Sequence, residues 1–155
     1  HQRSRMVQFA YHLLPLFFYD GDVDFDHASI IDCALKTQNR FGGFGVPANS
    51  SACEDMDSLF LLIKLAPHAD RRAAEIKQAL IKGFDWVLLN QAPDGGFVFR
   101  LIEPFVYGAN ETSSLRNEGA MLPTWFRVLS IVYLARALAI DTPFVMTNCP
   151  GYEFA

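Results

Sequence analysis

The chain has 155 residues, a formal net charge of −4 and a hydrophobic content of 51%, with 14 phenylalanines among its aromatic residues. This length is enough for one domain with a sizeable core, and the acidic balance gives no indication of a surface that binds nucleic acid. No apolar run approaches the ~20 residues that a membrane-spanning helix needs.

The three cysteines, Cys33, Cys53 and Cys149, include no pair at the spacing of a metal site. An odd number without such a pair favours reduced thiols over a disulfide or a zinc site. We therefore expect neither a metal nor a cofactor, and a cytoplasmic location is favoured.

Apolar residues recur at helical spacing in five segments, which predicts an all-α protein. The predicted helices cover approximately 6–17, 27–38, 51–66, 70–90 and 123–139. Asp26 is the expected N-cap of the second helix, and Pro67 is expected to end the third. A short ribbon is expected at 97–102, within a long loop that extends to residue 121.

The third and fifth segments are apolar on nearly every side, as in buried helices. We expect their leucines and valines to lie in the core, in particular Leu61, Leu62, Leu65, Leu129, Val132 and Leu134. The second and fourth helices are amphipathic. On the fourth, Ala74 is expected in the apolar stripe, whereas Arg71, Glu75 and Lys82 are expected to face water.

One short pattern occurs twice, at the end of each amphipathic helix. Residues 38–44 read QNRFGGF and residues 91–97 read QAPDGGF, an offset of 53 residues. Self-similarity at such a period indicates a repeat architecture in which one helical unit buries its apolar face against the next. The sequence therefore predicts a single helical repeat domain over 1–155, with copies at about 27–66 and 70–139.

The second copy resembles a known repeat. From Lys82-Gly83 through Trp86 and Gln91 to Gly95-Gly96-Phe97, the chain closely resembles the QW repeat of squalene and oxidosqualene cyclases. Related glycine-turn repeats occur in protein prenyltransferase β subunits. This chain departs from the cyclase repeat by ending in Phe97 where the repeat has Trp, and the first copy has Cys33 where an aromatic residue is expected.

The resemblance covers roughly 27–140 and implies an α/α toroid, in which outer and inner helices alternate around a central cavity. A complete toroid of this family needs about twice the hairpins found here. The resemblance therefore implies a partial, toroid-like array of outer–inner helical hairpins, and we expect self-association or a flanking domain to complete it.

An acidic run, Glu54-Asp55-Met56-Asp57, stands at the start of the third helix. In the cyclases an Asp-x-Asp-Asp motif near such a helix supplies the acid that protonates an alkene, but Met56 occupies the position of the proton donor. In the prenyltransferases an Asp-x-Cys pair and a later His bind zinc, whereas Asp57 replaces the Cys here. We therefore expect no zinc at this position.

Two interpretations of the acidic run remain open. Asp55 and Asp57 are candidate catalytic carboxylates, with Glu54 as a ligand contact, since a buried carboxyl group of raised pKa can act as an acid. Alternatively, these residues cap the helix, because acidic side chains favour a helix N-terminus.

A second candidate group contains Tyr107 and Glu118 in the long loop and Trp125 and Arg127 at the start of the fifth helix. If the inner helices begin at the mouth of a cavity, these side chains would face the acidic run across it and bind a ligand. The alternative is that Trp125 lies in the core and Arg127 caps a loop.

Three functions therefore remain open. The resemblance favours a toroid-type domain of unknown activity that binds an apolar isoprenoid-like ligand or a glycan between its inner helices. The alternatives are an enzyme of the terpenoid cyclase or prenyltransferase type and a non-catalytic protein-interaction module. The sequence does not decide whether the protein is an enzyme, and fold analogy alone is weak evidence for a reaction.

Overall fold

A computed structural model describes residues 2–21 and 24–144, so Cys149 lies outside the described residues. The prediction of an all-α protein is confirmed. The helices are α1 (Gln2–Asp20), α2 (His27–Leu35), α3 (Ala52–Leu65), α4 (Ala73–Leu89) and α5 (Met121–Ala137). None of these described helices has the length and apolarity required to cross a membrane.

Local signals explain where the helices begin and end. The Asp26 carboxylate accepts a hydrogen bond from the Ser29 N–H at 3.0 Å, which confirms Asp26 as the N-cap of α2. α3 ends at Leu65, and Pro67 lies in the 3-10 turn that follows. α4 begins at Ala73, later than expected, because 70–72 form a further 3-10 turn.

The predicted ribbon at 97–102 is wrong in position. An antiparallel ribbon is present, but its strands are β1 (Phe105–Tyr107) and β2 (Ala109–Ser114). Ile102 has a φ of 54°, a left-handed conformation that interrupts an extended strand. The chain therefore turns at this residue and becomes extended after it.

α3 lies at the centre of the helices and contacts α1, α2, α4 and α5. Its side chains are buried along nearly its whole length, as expected for a helix that is apolar on all sides. The Phe60 ring at its middle packs edge-to-face against Tyr11 of α1 and Tyr133 of α5, with ring centroids 5.3 and 5.5 Å apart. One aromatic cluster therefore joins three helices.

The expected division between buried and exposed residues is confirmed with one exception. The six predicted core residues are buried: Leu61, Leu62, Leu65, Leu129, Val132 and Leu134. Arg71, Glu75 and Lys82 are exposed, as predicted, although Arg71 belongs to the turn before α4. Ala74 is also exposed, because it lies two residues before buried Ile76 and therefore about 200° around α4.

Leu62→Ala is expected to lower the free energy of unfolding by about 2–5 kcal/mol, because Leu62 is fully buried and its truncation leaves a cavity. Denaturant unfolding followed by circular dichroism measures this loss. Leu89→Ala is the matched control, since Leu89 is exposed. A loss at Leu62 as small as that at Leu89 would contradict tight packing of α3.

The two Gln-x-x-x-Gly-Gly-Phe segments form the same turn. Gln38 is bridged to Phe44, and Gln91 to Phe97, each in antiparallel fashion. In both segments the N–H after the Gln donates to the carbonyl of the second Gly at 2.8 Å. The first Gly has a positive φ in both, 102° and 90°, a conformation that Gly adopts without strain.

Each turn is fixed to the helix that follows it in the same way. The Phe44 N–H donates to the Asp55 carboxylate at 2.7 Å, and the Phe97 N–H donates to the Thr124 hydroxyl at 2.9 Å. Asp55 and Thr124 are each the fourth residue of their helix. The relation between turn and following helix is thus repeated, although the second connection is much longer.

Candidate functional site

Asp55 is fully buried and is surrounded by hydrogen-bond donors. Besides the Phe44 N–H, it accepts hydrogen bonds from the Ser50 hydroxyl at 2.7 Å and from the Trp86 indole N–H at 2.9 Å. The guanidinium of Arg127 forms an ion pair with it. Burial raises the pKa of the Asp55 carboxyl, while Arg127 and the other donors oppose that change.

Arg127 is also fully buried, and its contacts connect three segments of the fold. In addition to the ion pair with Asp55 of α3, its Nη2 atom donates to the Asn90 side chain at 3.1 Å and to the Phe99 carbonyl at 3.3 Å. The expectation that Arg127 faces Asp55 across a cavity is therefore wrong, because the two side chains are in direct contact. Their surroundings favour a role in joining α3 to α5.

Of the acidic run, Glu54 takes part in capping α3, as the capping interpretation expected, whereas Asp55 and Asp57 do not, because Ser51 is the N-cap. Its hydroxyl accepts the Glu54 N–H, and the Glu54 carboxylate accepts the Ser51 N–H at 2.9 Å, which completes a capping box. Glu54 also pairs with Arg100 at 3.1 Å. A cavity of about 380 Å³ beside this pair lies between the first turns of α1 and α3.

Asp57 differs from its two acidic neighbours. Its exposed fraction is 2%, and no hydrogen bond is among the causes of its pKa shift. Burial raises its pKa to about 8, and the negative charges of Glu54 and Asp55 add to this shift. A carboxyl group that remains protonated near neutral pH has the property that a general acid requires.

Two further observations limit the chemistry of this region. Burial raises the pKa of the Cys53 thiol to about 12, so this thiol is not an activated nucleophile. Within residues 2–21 and 24–144, no His, Cys, Asp and Glu side chains are grouped in a way that could hold a metal ion.

The second candidate group lies at a larger cavity, between the ribbon and the start of α5. This cavity has a volume of about 550 Å³ and brings Tyr107, Glu118 and Trp125 together. Its other lining residues are Thr112, Ser113, Ser114, Gly119, Ala120, Met121 and Leu122. Buried Arg127 is not part of its wall. The cavity lies beside the start of α5 and contains no residue of α3, whereas the resemblance implies a ligand between inner helices.

Hydrogen bonds fix the walls of this cavity, which we call the ribbon cavity. The Glu118 carboxylate accepts the Leu115 N–H at 2.8 Å and so holds the turn after β2. The Ser113 hydroxyl donates to the Ala109 carbonyl at 2.9 Å within the ribbon. The aromatic rings of Tyr107 and Trp125 remain substantially exposed.

The floor of the ribbon cavity is attached to the second glycine turn. Asp94 accepts the N–H groups of Gly119 and Gly96, both at 2.9 Å, and these two bonds lower the pKa of its carboxyl. A Cβ atom on Gly119 would approach the Cα of Gly96 to 2.7 Å, so this contact requires Gly119. Asp94 and Gly119 are absent from the predicted site residues, since nothing local in the sequence indicates that they meet.

Comparison of the chain with protein-family models, with curated proteins and with solved structures gave no match. The resemblance to the cyclase and prenyltransferase repeats therefore stays a prediction based on the motif at 82–97. Function has to be inferred from the side chains described above.

Proposed function

We propose that the protein is a toroid-type helical repeat domain that binds a small polyhydroxylated ligand, a sugar, in the ribbon cavity. The observation that carries this proposal is that Tyr107, Glu118 and Trp125 line one cavity. Its volume of about 550 Å³ is typical of small-molecule sites. Both aromatic residues line this cavity and are substantially exposed.

The chemistry of the wall favours a sugar over an isoprenoid. Trp125 and Tyr107 offer aromatic faces, whose negative potential attracts the C–H groups on the face of a sugar ring. The Glu118 carboxylate and the hydroxyl of Ser114 lie on the same wall and can hydrogen-bond to sugar hydroxyls. An isoprenoid chain offers no hydroxyl groups to hydrogen-bond with this wall, whereas a sugar offers several.

The toroid part of the proposal is supported by the repeated turns and by the order of helix contacts. α3 contacts both α1 and α5, as successive inner helices would, and α2 and α4 each contact α3, as outer helices would. The Gln38 amide also donates to the Ala79 carbonyl of α4 at 2.8 Å, so the first turn is joined to the next outer helix. These contacts are consistent with a partial array.

Asp57 favours a second candidate, an enzyme of the terpenoid cyclase type. A buried carboxyl group with a pKa of about 8 could donate a proton to an alkene. The ribbon cavity is lined by other residues, however, and Asp55 is already occupied by its ion pair. Sugar binding without catalysis is therefore the better-supported function.

Binding of mono- and disaccharides to the protein is expected, and Trp125→Ala or Tyr107→Ala should weaken it by about 10-fold or more through loss of an aromatic face. Isothermal titration calorimetry with a sugar panel measures the effect. Val106→Ala is the matched control, because Val106 is the exposed neighbour of Tyr107 on the same strand and does not line the cavity.

A prenyl alcohol titrated under the same conditions separates the two ligand classes. Tighter binding of the prenyl alcohol than of every sugar, with loss in Trp125→Ala, would replace the sugar by an isoprenoid. Equal weakening by Tyr107→Ala and Val106→Ala, or the absence of any binding, would contradict the proposed site.

A further inference from the structure

α1 is apolar on two opposite faces, although one of them is covered by no other described element. One face packs on α3 through Val7, Tyr11 and Leu14. The other face carries a line of large apolar residues that are 43% to 69% exposed, which we call the α1 stripe: Met6, Phe9, Leu13, Leu16 and Phe17. Contiguous exposed apolar surface of this kind marks an interaction site.

Opposite charges stand at the two ends of the α1 stripe. Arg3 and Arg5 are exposed on its two sides in the first turns of α1, and Asp20 is exposed at its end. A second copy of α1 in antiparallel orientation would place each basic end beside an acidic end. A parallel copy would instead place like charges together.

We propose that the α1 stripe binds the α1 stripe of a second copy of this chain in an antiparallel, two-fold symmetric dimer. The positions of Met6, Phe9, Leu13 and Leu16 support this arrangement. Their intervals of three, four and three residues read the same in both directions along the helix. With Met6 opposite Leu16 of the second copy, the basic end of each helix lies beside the acidic end of the other. Such an interface uses the same patch on both subunits.

A groove next to the stripe supplies a place for a partner side chain. This groove has a volume of about 150 Å³ and lies between α1 and α2, lined by Met6, Val7, Ala10, Ser29, Ile30 and Cys33. Because the antiparallel dimer places Phe17 of the second copy beside Met6, its ring can enter this apolar groove. Insertion of a side chain between helices is the usual packing mode of paired helices.

The charge pattern also argues against a membrane surface as the occupant. Helices that lie on membranes carry Lys and Arg along their polar face, which attracts anionic lipids. The α1 stripe instead ends at Asp20, and Asp26 caps the next helix close by in the chain. A second copy offers opposite charges to both ends of the α1 stripe, whereas an anionic membrane surface attracts its basic end alone.

Analytical ultracentrifugation from micromolar to millimolar concentration tests the dimer. Leu13→Glu is expected to raise the dimer dissociation constant by at least about 100-fold, because the symmetric interface loses two apolar side chains. Leu89→Glu on α4 is the matched control, since Leu89 is similarly exposed but lies outside α1. Circular dichroism establishes that both variants keep their helices.

A charge exchange tests the antiparallel orientation. Arg3→Asp and Asp20→Arg should each weaken the dimer, and the two substitutions in one chain should restore it. A natural chain that stays monomeric at every concentration, or a dimer that Leu13→Glu leaves intact, would overturn the proposal. So would flotation of the protein with anionic vesicles in place of dimer formation, or failure of the double exchange to restore association.

Discussion

Arg127→Met is expected to lower the free energy of unfolding by about 3–5 kcal/mol, the usual cost of removing one partner of a buried ion pair. Arg127 and Asp55 are both fully buried, so the substitution leaves the Asp55 carboxylate without a counter-charge in a region from which water is excluded. It also removes a donor to Asn90 and to the Phe99 carbonyl. Denaturant unfolding at neutral pH measures the loss.

Two further variants test whether the loss of stability comes from the buried charge. Asp55→Asn combined with Arg127→Met should recover part of the stability, because the neutral amide leaves no uncompensated charge while its oxygen still accepts the Phe44 N–H. Arg71→Met, at an exposed arginine, should change stability by less than about 0.5 kcal/mol. If Arg127→Met behaves like Arg71→Met, the ion pair does not join α3 to α5.

The helices and the repeated turn could be predicted because their signals are local. Asp26 caps α2 through an N–H three residues further along the chain, a relation that the sequence displays directly. Ser51 and Glu54 have the spacing of a capping box, and this signal is also visible in the sequence. Ser51 stands directly ahead of the acidic run and is the better candidate for the N-cap.

The partner of Asp55 could not be identified from the sequence, because Arg127 lies 72 residues away. The available signal was indirect: Arg127 is a lone charge within the apolar first half of α5, and such a charge needs a buried counter-charge. The sequence also could not place the ribbon cavity, since the meeting of Gly96 and Gly119 depends on the path of a long loop.

Asp57→Asn is expected to change how stability depends on pH. The ordinary pKa of an Asp carboxyl is 3.8, and burial raises that of Asp57 to about 8 in the folded protein. Between these two values the folded chain holds a proton that the unfolded chain has released. Stability therefore falls as the pH rises through this window, because folding must take up a proton that becomes scarcer.

The amide that replaces the carboxyl group carries no titrating proton, so the variant should escape this loss. The two proteins should have similar stability near pH 4, and the variant should become more stable by several kcal/mol near pH 8, at about 1.4 kcal/mol for each unit of pKa. Unfolding of both proteins at a series of pH values measures the difference. The other charged groups near Asp57 on α3, Glu54 and Asp55, are present in both chains.

Asp85→Asn on the exposed surface of α4 is the control for replacing an Asp by its amide. A stability curve for Asp57→Asn that runs parallel to that of the natural chain would mean that Asp57 is ionised in the folded protein, which would remove the basis for an acid at this position. A widening gap toward high pH would instead establish that the Asp57 carboxyl group is neutral in the folded protein. Such a group lowers the stability of the fold as the pH rises toward 8, because its ionised form is disfavoured in the folded protein.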